Sequence, residues 1–141
     1  MKAFFDTSIL VATFYGSHEH HSASIDLVAR FSRKEACCAT HTLAEIYATL
    51  TGRTGKDRVS GDQALLFLGN VRERLTLITL NQEEYFKVLE GCAALGVTGG
   101  GIYDALLAHC AIKANAESIY TWNVKDFARL GPEISGRVRT P

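Results

Sequence analysis

Lys2-Ala3-Phe4-Phe5-Asp6-Thr7-Ser8 is the stretch that decides how this chain reads. Lys2 to Phe5 has the apolar content of a short buried strand. Asp6-Thr7-Ser8 then supplies three oxygen-bearing side chains of the kind that cap a helix N-terminus. The run that follows, Ser8 to Tyr15, is apolar enough for a strand or a helix, and the capping oxygens favour the helix. A strand that runs through an acid into a helix is the opening unit of an α/β sheet.

The rest of the chain repeats that alternation. His18 to Phe31 reads as a helix, with Ile25, Val28 and Phe31 three apart. Glu35 to Ala39 reads as a second strand. Thr42 to Thr51 is helical, with Leu43, Ile46, Tyr47 and Leu50 on one stripe. Thr51 to Arg58 is a polar loop. Ser60 to Arg74 is helical, Leu75 to Thr79 a strand, and Gln82 to Leu95 a helix that stops at Gly96. Ile102 to Ala114 is apolar nearly all round and belongs in the interior. Ser118 to Thr121 is a fourth strand, Asn123 to Leu130 one or two helical turns, and Ser135 to Pro141 a candidate edge strand. This order predicts a three-layer α/β/α sandwich on a mostly parallel sheet of four to five strands. The 141 residues suit a single domain over 1–141, with no repeat and no linker.

Composition narrows the function. The formal net charge is +0, which gives no global support for binding a polyanion, so any such role needs a local patch. The four cysteines, Cys37, Cys38, Cys92 and Cys110, form no CxxC pair and sit among apolar residues, as reduced core thiols do. Met1-Lys2 leads straight into the first strand without a signal-peptide pattern, and no apolar run approaches the ~20 residues that cross a bilayer. A soluble, cytoplasmic protein with no membrane partner is expected.

Three acids stand out by position. Asp6 follows the first strand, Glu45 lies one turn into the helix after the second, and Asp104 lies in the first turn of the apolar helix after Gly99-Gly100-Gly101. In a βαβ sheet all helix N-termini lie at the C-terminal edge of the strands, where open α/β sheets bind ligands. Each acid also has a plain explanation: Asp6 as an N-cap, Glu45 as the partner of Thr42 in a capping box, and Asp104 as a helix-dipole charge. The dipole, worth ~0.3–1 kcal/mol, is too weak to explain a buried Asp104. Asn123 and Asp126 follow the fourth strand at the same edge. Acids gathered there call for a hard cation such as Mg²⁺ or Mn²⁺, and such a site suits phosphodiester hydrolysis.

These residues resemble the PIN-domain family, most closely the VapC-type toxins of bacterial toxin–antitoxin pairs. The resemblance rests on Phe4-Phe5-Asp6-Thr7-Ser8, Thr42-Leu43-Ala44-Glu45-Ile46-Tyr47, Gly101-Ile102-Tyr103-Asp104-Ala105-Leu106-Leu107-Ala108 and Thr121-Trp122-Asn123-Val124-Lys125-Asp126-Phe127. In that order and spacing the set covers almost the whole chain. The resemblance implies an endoribonuclease dependent on Mg²⁺ or Mn²⁺, in which metal-bound water attacks the phosphorus. It implies Asp6, Glu45 and Asp104 as metal-binding catalytic acids, with Asn123 or Asp126 in the fourth place. It also implies Thr7 and Thr121 as hydroxyls that orient water or a carboxylate, a homodimer, and an antitoxin that occupies the groove.

Other motifs carry less. His18-x-His20-His21 lacks the further ligands a zinc site needs. His41, four residues before Glu45, is placed to pair with it or to touch RNA. Gly52-Arg53-Thr54-Gly55-Lys56 has the wrong spacing for a phosphate loop, but Arg53, Lys56 and Arg58 are candidate contacts to an RNA backbone or an antitoxin. Asp6-Thr7-Ser8 lacks the second Asp of an Asp-x-Asp phosphatase. A reading from a different class, toward which zero net charge and the neutral Asn123 lean, is a binding module of this fold without turnover.

Overall fold

The computed structural model describes residues 1–141. Five short strands form one sheet: β1 (Ala3–Phe5), β2 (Ala36–Ala39), β3 (Thr76–Ile78), β4 (Ser118–Tyr120) and β5 (Val138–Arg139). Their order is β3-β2-β1-β4-β5, and every pairing is parallel. The candidate edge strand near the C-terminus is therefore real and pairs with β4.

Side chains alternate across the pleat, and this sorts the core into two halves. Ala3, Phe5, Ala36 and Cys38 face one layer of helices: α1 (Thr7–Phe14), α2 (His21–Ala29), α3 (Thr40–Gly52) and α4 (Gly61–Arg74). Phe4, Cys37, Ala39 and Ile119 face the other: α5 (Gln82–Leu95), α6 (Gly101–Lys113), α7 (Val124–Ala128) and α8 (Pro132–Ser135). The three-layer sandwich follows from that division. β1 and β2 read as unbroken apolar runs because both of their faces are covered.

The strand order also fixes where a ligand can enter. From β1 the chain steps outward to β2 and β3, then crosses back to β4 and β5 on the other side. The connections after β1 and after β4 diverge, and the gap between them is a topological switch point. Asp6 ends β1 at that gap, and Thr121-Trp122-Asn123 follow β4.

Several helix details differ from expectation. The second helix begins at His21, not His18, because the His20 amide donates to His18 Nδ1 at 3.0 Å and closes a turn. Its buried face is Ser24 and Leu27, while Ile25 is exposed and Phe31 lies past the helix end, edge-on to Phe5. α3 begins at Thr40, with Ala39 at the N-cap, so Thr42 falls inside the first turn and no capping box with Glu45 forms. Tyr47, expected on the apolar stripe, is exposed and lays its hydroxyl against Gly61. The polar loop after α3 holds a single 3₁₀ turn, Gly55–Asp57. α8 was not foreseen: Gly131, at φ 114°, turns the chain in a conformation that favours glycine, and Pro132 starts the helix.

Phe4 is fully buried in the central strand. Phe4→Ala should lower the unfolding free energy by about 3–5 kcal/mol, while Leu66→Ala, at an exposed site, should change it by less than about 0.5 kcal/mol. Urea denaturation followed by circular dichroism measures both.

Candidate active site

A cavity of about 470 Å³ opens at the switch point, and Asp6, Glu45, Asp104 and Asn123 line it together with Thr7, Ser8, Trp122 and the turn His18-Glu19-His20. Asp6 is the most enclosed of the acids, only 3% exposed. Its Oδ2 accepts from the Ser8 hydroxyl at 2.7 Å, the Thr121 hydroxyl at 2.8 Å and the Ser8 amide at 3.4 Å. Asp6 is thus an N-cap of α1 and a cavity acid at once. Oδ1 takes none of these hydrogens. The Thr7 amide also favours the ionised carboxylate, and Asp6 lines the cavity.

The two hydroxyls also tie the loops together. Ser8 Oγ accepts the Trp122 amide at 3.0 Å, and Thr121 Oγ1 accepts the Asn123 amide at 2.9 Å. Each hydroxyl spends its one hydrogen on Asp6 and uses a lone pair to hold the segment after β4. The sequence reads Ser8 as a helix-capping oxygen and as the place of a missing phosphatase acid, not as a residue of the site. Its offset of two residues from Asp6 is the signal that marks it as a capping partner.

Glu45 is half-buried. The Thr7 hydroxyl donates to Glu45 Oε1 at 2.9 Å, with Thr42 Oγ1 3.3 Å from the same hydroxyl. α1 therefore aims Glu45, although the two lie on separate helices. Asp104, also half-buried, takes no hydrogen bond from the protein. Burial first, then the charges of Asp6, Asp126 and Glu45, push its carboxyl from 3.8 up to about 6, with Arg129 opposing. Burial also raises Asp6, against hydrogen bonds from Ser8 and Thr121. It raises Glu45, against the Thr7 hydroxyl and the charge of His41. In this partly dry pocket the charge of Asp6 thus works against ionised Glu45 and Asp104, and that of Glu45 against Asp104, while Asp6 itself is raised by burial.

The remaining candidates are spread more widely. Asn123 makes no side-chain cap to α7, so its amide is uncommitted. Asp126 is exposed and outside the cavity wall, though its charge reaches Asp104. His41 stacks on Tyr103, with ring centres 5.5 Å apart and planes 11° apart. Arg53 lies over the Tyr15 ring, and Lys56 and Arg58 line a separate hollow with Phe14, Val59 and Leu66. The basic loop is therefore not part of the acid cavity. His18, His20 and His21 do not converge either: the His21 ring bonds the Ala12 carbonyl, and His20 lies flat on Trp122.

Residues 3–131 match the sequence model of the PIN domain. The chain belongs to the PIN-domain family. It is 34% identical over 113 residues to ribonuclease VapC27 of Mycobacterium tuberculosis, a match covering 79% of this chain and 78% of that protein. It is 30% identical over 112 residues to ribonuclease VapC40 of the same species, covering 79% and 80%. Among solved structures, M. tuberculosis VapC20, a sarcin–ricin loop cleaving toxin, superposes with a TM-score of 0.73 at 16% identity, over 90% of this chain and 94% of that one. VapBC2 from Rickettsia felis, bound to a promoter DNA fragment, gives 0.68 at 21% identity, over 99% and 98%. At such identities the structural likeness is one of fold.

The donor set of this PIN domain fits a hard divalent cation. Its acids offer carboxylate oxygen, the Asp104 carboxylate is unclaimed, and a positive charge would relieve their mutual repulsion. No three His, Cys, Asp or Glu side chains stand close enough to grip one ion by themselves. Mg²⁺ does not require that, since one or two carboxylates with waters and substrate phosphate complete its shell.

Asp104 makes the metal-free protein sensitive to pH. Its native carboxyl keeps a proton up to about 6, whereas the unfolded one releases it near 3.8. Between those values the native state binds more protons, so this group's contribution to stability falls as pH rises. In EDTA, Asp104→Asn should match wild type near pH 4 and become progressively more stable than it through pH 6. Thermal melts across that range measure the difference, and a constant difference would show that Asp104 is not under strain.

Proposed function

We propose that this chain, acting as one domain over residues 1–141, is a metal-dependent endoribonuclease and the toxin of a toxin–antitoxin pair. Membership of the PIN-domain family and the ribonuclease names of its relatives VapC27 and VapC40 support the activity. The observation that carries the site is the gathering of Asp6, Glu45 and Asp104 around one cavity at the switch point, where the charges of Asp6 and Glu45 add to the burial of Asp104. Asp6 and Asp104, with Glu45 and either Asn123 or Asp126 beside them, would hold Mg²⁺ or Mn²⁺ whose shell water and substrate phosphate complete. A bound divalent ion neutralises phosphate charge and lowers the pKa of water, which is the chemistry that phosphodiester hydrolysis needs.

The chain's own residues do the rest. Ser8 and Thr121 fix the Asp6 carboxylate through one of its oxygens, and Thr7 fixes Glu45. This preorganisation means the acids need no reorientation when the phosphate arrives. Covalent catalysis by thiolate has no support. Cys37 and Cys38 are pushed by burial to about 12 and Cys110 to about 11, and all four cysteines are buried. An antitoxin is the natural partner, since solved neighbours are toxin–antitoxin complexes. We place the protein in the cytoplasm as a homodimer acting on RNA. No helix is long and apolar enough to cross a membrane.

The competing reading, a module without turnover, draws on the neutral Asn123 and the lack of a ready three-ligand cluster. Metal titration separates the two. Saturating Mn²⁺ should raise the melting temperature by about 5–10 °C, and Asp6→Asn should abolish the rise. Asp104→Asn should cut RNA cleavage by on the order of 10²-fold or more while the circular dichroism spectrum is kept. Full cleavage by that variant would remove Asp104 from the site.

A further inference from the structure

One wall of the acid cavity carries two stacked rings. His20, in the turn before α2, lies flat against Trp122, in the segment after β4, with ring centres 3.7 Å apart and planes 8° apart. The pair is anchored from several directions. The Trp122 indole nitrogen donates to Ser24 Oγ at 2.9 Å, its amide donates to Ser8 Oγ, and the His20 amide donates to His18 Nδ1. Glu19 Oε1 stands 3.4 Å from His20 Nε2. Ser8, which holds Trp122, also holds Asp6. The stack therefore keeps a fixed position relative to the acids, within the same cavity of about 470 Å³. That space exceeds what acids, an ion and a phosphate would fill, and it falls in the range of pockets that take whole small molecules.

We propose that the His20–Trp122 stack seats the nucleobase of the nucleotide next to the phosphate held by the acids. Unpaired RNA bases are commonly held by stacking on aromatic and imidazole rings, while phosphate contacts only position the strand. The indole backs one face of the imidazole and the His18 ring stands tilted 5.7 Å away, so the base lands on the part of the imidazole that lines the cavity. His20 is thus a substrate-contacting residue, and Trp122 is a positioning residue. The proposal rests on the ribonuclease reading and selects unpaired over duplex RNA at this point.

Trp122 is the single tryptophan of the chain and reports on the stack by its emission. The test titrates the wild-type protein in Mg²⁺ with a 12-nucleotide oligoadenylate and with a 12-unit abasic ribose-phosphate strand, alongside cleavage of total RNA on a gel. The oligoadenylate should change Trp122 emission and bind more tightly, and the abasic strand should leave emission unchanged. His20→Ala should weaken oligoadenylate binding by between about five- and about a hundred-fold, the worth of one stacked base, and leave abasic binding as it was. His20→Phe, which keeps a flat ring, should retain the preference for bases. Equal binding of the two strands by a protein that cleaves RNA overturns the base seat and leaves that wall to a side chain of the antitoxin. So does an unchanged preference in His20→Ala. A protein that cleaves no RNA and binds neither strand overturns the ribonuclease reading as well.

Discussion

Desolvated like charge at the switch point is the constraint on which the rest of this structure depends. Asp6 is nearly enclosed, and burial works against its ionised form. A buried carboxylate without partners would be costly to fold. Here two hydroxyls and an amide converge on one of its oxygens. Those donors come from both sides of the gap, α1 and the segment after β4. The carboxylate and the two loops are therefore held together by the same hydrogen bonds.

The sheet makes that convergence possible. Its all-parallel order puts β1 between β2 and β4, so the residues after all three strands emerge side by side at one edge. Helices on both faces exclude water from the strands and leave the edge as the one place where polar chemistry can collect. Hydroxyl residues suit that edge better than further charges. Thr7, Ser8 and Thr121 can each donate to a carboxylate and still accept a hydrogen from elsewhere. Basic side chains in their place would cancel the negative potential that a cation requires.

Much of this was legible in the chain, for physical reasons. Phe4-Phe5-Asp6 announced a buried strand ending in a polar edge, and strands covered on both faces leave continuous apolar runs that are easy to see. Asp104 was legible because a charge on an otherwise apolar helix has no cheap local explanation. Glu45 was harder. Its spacing from Thr42 mimics a capping box, but α3 starts at Thr40 and its true partner, Thr7, lies 38 residues away. The His20–Trp122 stack left no local trace, because rings about a hundred residues apart share no periodicity. α2 falls within its expected span, but its ends and inner face differ because a single Leu27 with a buried Ser24 carries that face, which hydrophobic spacing does not register.

The hydrogen bond from Thr121 to Asp6 bridges 115 residues of chain. β1 is made first, yet one of its two neighbours in the sheet is β4. While the ribosome is still elongating the chain, β1 has β2 to pair with but not β4, and the cavity lacks a wall. A nascent or prematurely terminated chain that stops before residue 121 therefore carries Asp6 and Glu45 without the finished pocket around them. Topology of this kind delays completion of the site until synthesis has passed that point.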